Sequence, residues 1–214
     1  MAMEKFRAAP LPNPTPEYSA ETQQQLIRVL EVYFNQLDSQ TPLQAEYFKG
    51  RGDKLTFPTA LYYSTQDQTY AAIDTAYPVT YNNTYYNNDM SLVDSSKITV
   101  DRAGIYNFQF TCQLVSSNSS SKNVHIWIRK NGTDVTYSSR AYTISGVDTE
   151  VTAQWTFNID LQAQQYIQIM TATNDTTVTM NHEEVSSPYP GTSSAVISVN
   201  HVSDLEGITV AATP

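Results

Sequence analysis

The stretch "ITVDRAGIYNFQFTCQL", residues 98–114, decides the fold class of this chain. From Tyr106 onward every second residue is apolar, and the residues between are Asn, Gln or Thr. Successive side chains of a β-strand point to opposite faces, so this period of two predicts a strand with one buried face. The buried positions would be Tyr106, Phe108, Phe110, Cys112 and Leu114. Gly104 precedes them in the turn "DRAG".

The same period recurs through residues 55–202, in runs such as "VHIWIRK", "AQWTFNIDL", "QYIQIMTAT" and "SAVISVNHV". The dipeptide Asn131-Gly132 after the first of these runs predicts a two-residue β-hairpin. Turn signals separate the runs at short intervals, and no helical pattern lies between them. This arrangement is typical of an all-β sandwich or jelly roll. We therefore assign residues 55–214 to one jelly-roll domain.

Residues 1–18 are predicted to be a proline-rich arm. The segment "AAPLPNPTPEY" holds four prolines, which lack an N–H group and are incompatible with a helix or a central strand. Two interpretations stay open, a disordered tail or an extended strap that docks on a partner. In the second, Phe6, Leu11 and Tyr18 are the apolar anchors.

Residues 19–38 are predicted to be an amphipathic helix, with Ser19 as its N-cap. Leu26, Leu30, Tyr33 and Leu37 recur at spacings of four, three and four, which places them on one stripe. That stripe either packs on the chain's own domain or forms a short oligomeric neck with copies of itself. Residues 39–54 would be a polar linker to the β-domain.

The composition argues against a nucleic-acid partner and against insertion in a membrane. The formal net charge is −9, with twelve Lys and Arg against twenty-one Asp and Glu. A nucleic-acid-binding protein needs a cationic surface, so we expect no nucleic-acid partner. No apolar run approaches the ~20 residues of a membrane span, and no secretory signal is visible. The sequence therefore predicts a soluble product made in a reducing compartment.

No motif predicts catalysis, a metal site or a cofactor. The single cysteine, Cys112, lies on the apolar side of its strand and is expected to be a small buried hydrophobe. In His182-Glu183-Glu184, adjacent strand residues point to opposite faces, so at most two could converge on a metal ion. The chain has no phosphate-binding glycine loop and no nucleophile elbow. We therefore expect no enzymatic activity.

Tyrosines are concentrated in one stretch, with seven of the fifteen between positions 62 and 86. Tyrosine suits recognition surfaces because it offers a rigid apolar ring and a hydroxyl. The stretch is therefore either a glycan- or receptor-contacting patch or an aromatic interface between protomers. Its members are Tyr62, Tyr63, Tyr70, Tyr77, Tyr81, Tyr85 and Tyr86.

The strand "DRAGIYNFQFTCQL", the hairpin "HIWIRKNGTDV" and the pair "WTFNIDLQAQQYIQIM" resemble the jelly roll of complement globular heads and tumour-necrosis-factor-like domains. The match follows the family's order at residues 104–110, 126–132 and 155–169, and covers about two-thirds of the chain. Gln164-Gln165 replaces the usual turn glycine, and the closing Gly-Phe pattern is absent. The resemblance implies a ten-stranded jelly roll that assembles as a trimer and does not catalyse a reaction. It also implies that Gly104 allows the tight turn into its strand.

The leader "EKFRAAPLPNPTPEY", followed by "QQLIRVLEVYFNQLDSQTP", resembles the leaders of small virion proteins of tailed bacteriophages, particularly marine and cyanobacterial ones. This resemblance implies a virion protein assembled in the cytoplasm of a host bacterium, with capsid or tail proteins as partners. We expect a homotrimeric capsid decoration or head-fibre protein. Two alternatives stay open, a tail-fibre or adhesin component that binds host surface glycan and a lectin-like carbohydrate-binding module.

Overall fold

The computed structural model describes residues 19–38 and 57–205. The predicted arm with Phe6, Leu11 and Tyr18, the predicted linker at 39–54 and the C-terminal residues 206–214 lie outside the described residues. The chain divides into an N-terminal unit, of which the helix is described, and a β-sandwich.

The N-terminal unit contains helix α1, Ala20–Asp38. Ser19 caps it as predicted, because its Oγ accepts a hydrogen bond from the backbone N–H of Thr22 at 3.4 Å. Its carbonyl oxygen accepts the N–H of Gln23 at 3.1 Å. Glu21 lies in the first turn, where the helix dipole favours a negative charge. The structure confirms both the helix and its cap.

Two antiparallel sheets, with strands numbered in chain order, enclose the core. The first sheet contains β1 (Thr59–Ser64), β2 (Gln68–Thr69), β4 (Asn83–Asn88), β7 (Gly104–Ser116), β11 (Thr149–Leu161), β13 (Val178–Met180) and β14 (Ala195–Ser203). The second contains β3 (Tyr77–Pro78), β5 (Met90–Val93), β6 (Lys97–Val100), β8 (Ser121–Lys130), β9 (Thr133–Asp134), β10 (Arg140–Ser145) and β12 (Tyr166–Thr173). This confirms the predicted jelly-roll β-sandwich. Fourteen strands are described instead of the implied ten, because short segments, three of them two residues long, pair beside longer strands.

Strand β7 is the middle of the first sheet. It pairs with β11 along its whole length, from Gly104↔Leu161 to Ser116↔Thr149. Its other edge pairs with β14 and then, towards its end, with β13. The five apolar residues predicted to face inward are all buried, each at most 1% exposed. Burying each of the larger side chains contributes about 1.5–3 kcal/mol, so this one strand supplies a large share of the core.

Gly104 begins β7 for a different reason from the one expected. Its φ lies outside the left-handed region, so no turn requires glycine there. A Cβ atom at this position would lie 2.6 Å from Cδ2 of His201 and 3.0 Å from the carbonyl oxygen of Ser203. The imidazole fills that space and packs edge-on against Tyr106, with ring centroids 5.3 Å apart. The expected role in a tight turn was wrong, because glycine here makes room for a side chain on the paired strand.

Two turns depend on left-handed residues. Asn131 and Gly132 join β8 to β9 with φ values of 48° and 83°, which confirms the predicted hairpin. In the turn from β11 to β12, Gln164 takes a φ of 66° itself, where the family resemblance leads one to expect glycine. Its N–H donates to the carbonyl of Val100 at 2.7 Å, which holds the turn against β6.

We predict that Gly104→Ala lowers the free energy of unfolding by about 1–3 kcal/mol, because the added methyl group overpacks against His201 and Ser203. Denaturant titration measures this loss. Combining it with His201→Ala removes the ring that the methyl group meets, so the two changes should couple by about 1 kcal/mol in a double-mutant cycle. Strictly additive losses would contradict this explanation of the glycine.

Candidate functional site

The tyrosine-rich stretch does not form one surface patch. Tyr62, Tyr70 and Tyr81 are buried in the sandwich core at 0%, 5% and 1% exposure. Tyr77 packs half-buried against the same core. The prediction of one recognition patch or interface was therefore wrong for the buried Tyr62, Tyr70 and Tyr81. The physical reason is strand alternation, which on β1 turns Tyr62 inward and leaves Tyr63 half-buried on the outer face.

The hydroxyls of two buried tyrosines differ in their hydrogen bonding. The hydroxyl of Tyr70 is hydrogen-bonded to Oγ1 of Thr171 at 2.9 Å. The hydroxyl of Tyr81 has no hydrogen-bond partner among the described residues. Burial raises the pKa of both phenols well above the usual value, so both stay protonated at neutral pH.

Two members of the stretch are exposed, Tyr85 and Tyr86. Tyr85 and Tyr86 lie on β4, the edge strand beyond β1, and are 75% and 43% exposed. Their rings meet edge to face with centroids 5.9 Å apart. The exposed part of the predicted patch is therefore a tyrosine pair at a sheet edge.

The thiol of Cys112 lies in the core, as predicted from its place in the strand. Burial raises the pKa of this thiol to about 12, so it is not a thiolate at neutral pH. Within residues 19–38 and 57–205, no three His, Cys, Asp or Glu side chains come together as a metal site would require. No described helix is long and apolar enough to cross a bilayer.

The predicted neck residues Leu26 and Leu30 lie on α1 and are 37% and 38% exposed. Ile27, Val32 and Phe34 are exposed on the same helix. The side chains of Tyr33 and Leu37 lie outside the described residues, although their backbone is helical. The helix thus presents apolar side chains to solvent in a single copy of the chain.

The outer face of the first sheet is uncharged over a wide area. Strands β1, β4, β7 and β14 contain no Asp, Glu, Lys or Arg, and β11 has only Glu150 and Asp160, near its two ends. We call the outward side chains of three neighbouring strands the uncharged face. They are Asn107, Gln109 and Thr111 of β7, Thr156 and Asn158 of β11, and Ser198 and Asn200 of β14.

Hydrogen bonds order the side chains of the uncharged face. The amide of Asn107 donates to Oδ1 of Asn158 at 2.7 Å across the β7–β11 pair, and the amide of Gln109 reaches Asn107 at 3.3 Å. On the other side, Thr59 donates to Oδ1 of Asn200 at 2.9 Å. The cationic strand residues Lys97, Lys122, Arg129, Lys130 and Arg140 all belong to the second sheet. The two sheets therefore differ sharply in charge.

The uncharged face ends at β11, which is an edge strand of its sheet. Among the described residues β11 pairs only with β7, so the other edge of its thirteen residues carries no sheet partner. Its inward row at Trp155, Phe157 and Ile159 is only partly buried. Arg140 lies over Trp155 with Cζ 5.4 Å from the ring centroid, and Phe157 stacks on Phe108 at 5.1 Å. A long edge strand with aromatic side chains is a surface that proteins usually cover.

Comparisons with known proteins support the fold. No protein-family model matches the sequence, and no curated protein matches it either. The structure of Eiger TNF from S. frugiperda is similar over 73% of this chain and 99% of that chain, with a TM-score of 0.50 and 11% identity. Murine APRIL at pH 5.0 covers 69% of this chain and 100% of its own, with a TM-score of 0.45 and 9% identity.

The globular domain of zebrafish complement 1qA protein covers 70% of this chain and 99% of that chain, with a TM-score of 0.40 and 12% identity. The similarity to Eiger TNF supports the jelly-roll fold that the sequence motifs predicted. At 11% identity it establishes the fold alone, and functional conclusions have to come from the surface of this chain.

Sequence reasoning had not singled out the uncharged face. The signal was present, because "GIYNFQFTCQLVS" and "AVISVNHVS" are long strands without one Asp, Glu, Lys or Arg in a chain of net charge −9. The sequence did not show that these two strands are neighbours in the sheet. Strand β14 follows β7 by about eighty residues and still pairs with it directly.

We predict that removing two buried tyrosine hydroxyls has different effects on the free energy of unfolding. Tyr70→Phe should lower the free energy of unfolding by about 1 kcal/mol, because it leaves the Thr171 hydroxyl unpaired. Tyr81→Phe should be neutral or stabilising, because it removes a buried hydroxyl that has no partner among the described residues. Tyr85→Phe, at an exposed position, is the control and should change nothing. A loss at Tyr81→Phe as large as that at Tyr70→Phe would contradict this assignment.

Proposed function

We propose that this protein is a non-enzymatic structural protein that assembles as a homotrimer through the uncharged face. The observation that carries the proposal is the juxtaposition of that face with the unpaired edge of β11. A cyclic trimer repeats the same head-to-tail interface three times, so any acid in that interface is also repeated three times, and an acidic chain assembles best through a surface without acids. The neutral amides keep hydrogen-bonding capacity for a wet interface.

In the proposed trimer, the edge of one sandwich packs on the uncharged face of the next. Trp155 and Phe157 at the β11 edge become fully buried, and the amides of Asn107 and Gln109 gain partners across the interface. Aromatic residues are enriched in the cores of protein interfaces, and charged residues are depleted there. The resemblance to trimeric jelly rolls noted from the sequence points to the same assembly.

Helix α1 is proposed to form the neck of this trimer. Its exposed Leu26 and Leu30, with Tyr33 and Leu37 on the same stripe, would pack against the same residues of the other two copies. A helix of nineteen residues gains most of its stability from packing an amphipathic face, so exposed leucines on an isolated copy favour this role.

The proposed location is the virion of a tailed bacteriophage, as a capsid decoration or head-fibre protein. The leader resemblance supports this location, and the arm with Phe6, Leu11 and Tyr18 would dock on capsid or tail proteins. Three arms on one trimer raise the effective concentration of each, so individually weak contacts could hold the trimer firmly. A tail-fibre or adhesin component is the second candidate, favoured by the exposed Tyr85 and Tyr86.

Gln109→Glu tests the assembly, because it adds one negative charge to the uncharged face with almost no change in shape. We expect the dissociation constant of the trimer, measured by analytical ultracentrifugation, to rise at least about tenfold at low salt. The effect should shrink at high salt, because ions screen like-charge repulsion. Asn123→Asp on the exposed face of the second sheet is the matched control and should leave the trimer intact. Equal behaviour of the two variants would contradict the proposed interface.

Removal of residues 1–18 tests the location on the particle. The shortened protein should still fold and trimerise but should be lost from purified particles, which mass spectrometry of the virion measures. The triple change of Phe6, Leu11 and Tyr18 to Ser keeps the length of the arm and should have the same effect. Particles that carry either protein at the normal copy number would contradict attachment through the arm.

A further inference from the structure

The connection between β13 and β14, residues 181–194, builds a groove against the end of β1. It folds back on itself, because Glu183 and Thr192 exchange two backbone hydrogen bonds, both of 2.9 Å. The groove between this hairpin and β1 has a volume of about 390 Å³. Binding sites for small ligands fall in the range of ~300–1,000 Å³.

Close backbone packing and one side-chain hydrogen bond hold the hairpin in place. Gly191 has a φ of 87°, and a Cβ atom there would lie 2.8 Å from the carbonyl oxygen of Glu183. The backbone N–H of His182 donates to Oδ1 of Asp67 at 2.7 Å, which ties the base of the hairpin to the loop after β1. The wall of the groove is therefore built before any ligand arrives.

His182 presents an acceptor to the groove. Its Nδ1 lies 2.7 Å from the carbonyl oxygen of Thr192. A carbonyl oxygen accepts only, so Nδ1 carries the proton and the Nε2 of the neutral ring is left with a lone pair. That Nε2 lies 3.5 Å from Oε1 of Glu184. When the ring is neutral, Nε2 and the carboxylate are both acceptors, and a hydroxyl hydrogen donated from a ligand would satisfy either of them.

The groove is also lined by a tyrosine. Tyr63, half-buried on the outer side of β1, lines the groove together with Thr65 and Pro190. Aromatic rings pack against the C–H faces of sugars, and hydroxyl groups donate to carboxylates and to imidazole nitrogen. A tyrosine and two acceptors in the lining of one groove match a ligand with an apolar face and several O–H donors.

We propose that this groove binds a neutral carbohydrate, with a sugar ring on Tyr63 and its hydroxyls donating to His182 Nε2 and Glu184. A metal ion fits less well, because no third His, Cys, Asp or Glu in the described part of the chain completes a ligand set there. The site shares only Tyr63 with the tyrosine stretch singled out from the sequence, and it includes neither tyrosine of the exposed pair on β4. It also goes beyond the proposed assembly, which does not use the hairpin.

The test uses the full-length protein and a panel of neutral oligosaccharides of glucose, galactose, mannose and N-acetylglucosamine, titrated by isothermal calorimetry and by protein NMR. We expect at least one to bind with a dissociation constant near 1 mM, typical of a shallow site with few contacts. The binding should perturb signals of Tyr63 and His182. A panel in which no member binds below about 10 mM would overturn the proposal.

Two variants locate the binding. Tyr63→Leu keeps an apolar strand residue but removes the ring and should weaken the binding at least tenfold. Tyr137→Leu, at a 90% exposed tyrosine in the β9–β10 connection, is the matched control and should bind like the unmodified chain. Circular dichroism checks that Tyr63→Leu is folded. Unchanged binding by a folded Tyr63→Leu would show that the sugar binds elsewhere and would overturn the proposal.

Glu184→Gln distinguishes a sugar from a cationic ligand. The amide keeps one acceptor, so sugar binding should weaken by only a few-fold. Methylammonium serves as the cationic probe, and its binding should be undetectable in both proteins. If methylammonium binds the unmodified chain more tightly than any sugar and Glu184→Gln abolishes that binding, the groove is a cation site and the carbohydrate proposal fails.

Discussion

The pairing of β7 on both of its edges is the constraint on which the rest of the sandwich depends. One strand of thirteen residues joins β11 on one side to β14 and β13 on the other, and its alternate side chains fill the core. The arrangement leaves little freedom, because a slip of one residue would turn the aromatic row outward and bury a row of amides. Even the first residue of the strand is fixed, since Gly104 leaves the space that the His201 ring occupies.

The same alternation that buries the aromatic row creates the uncharged face. Residues between the core positions of β7 must point away from the core, and in this chain they include Asn107, Gln109 and Thr111. The strands on both sides repeat the pattern, so neutral amides and hydroxyls gather on one side of the molecule while cationic residues lie in the other sheet. The same alternation of residues therefore determines both the packing of the core and the composition of the proposed assembly surface.

Much of the fold could be predicted from the sequence, because local signals determine it. The period of two predicted strands β7, β8, β11, β12 and β14. Asn131-Gly132 predicted a hairpin, and Ser19 predicted the start of the helix. The prediction that the tyrosine stretch forms one patch failed because residues that are close in the sequence need not lie together on the surface. Tyr62 and Tyr63 are neighbours in the chain but lie on opposite faces of β1, and Tyr81 lies in the core. The groove was not predictable, since it depends on contacts such as His182 with Asp67, which are 115 residues apart.

The most direct test of the account is the mass in solution, measured by light scattering, of the full chain and of a fragment that begins at Lys54. The fragment retains the whole β-sandwich and lacks the helix. If the uncharged face is the main assembly surface, both should be trimers, with the full chain at three times 23.9 kDa. A full chain that is trimeric while the fragment is monomeric would assign assembly to the helix and contradict the central role of the sheet. Two monomers would contradict the assembly altogether.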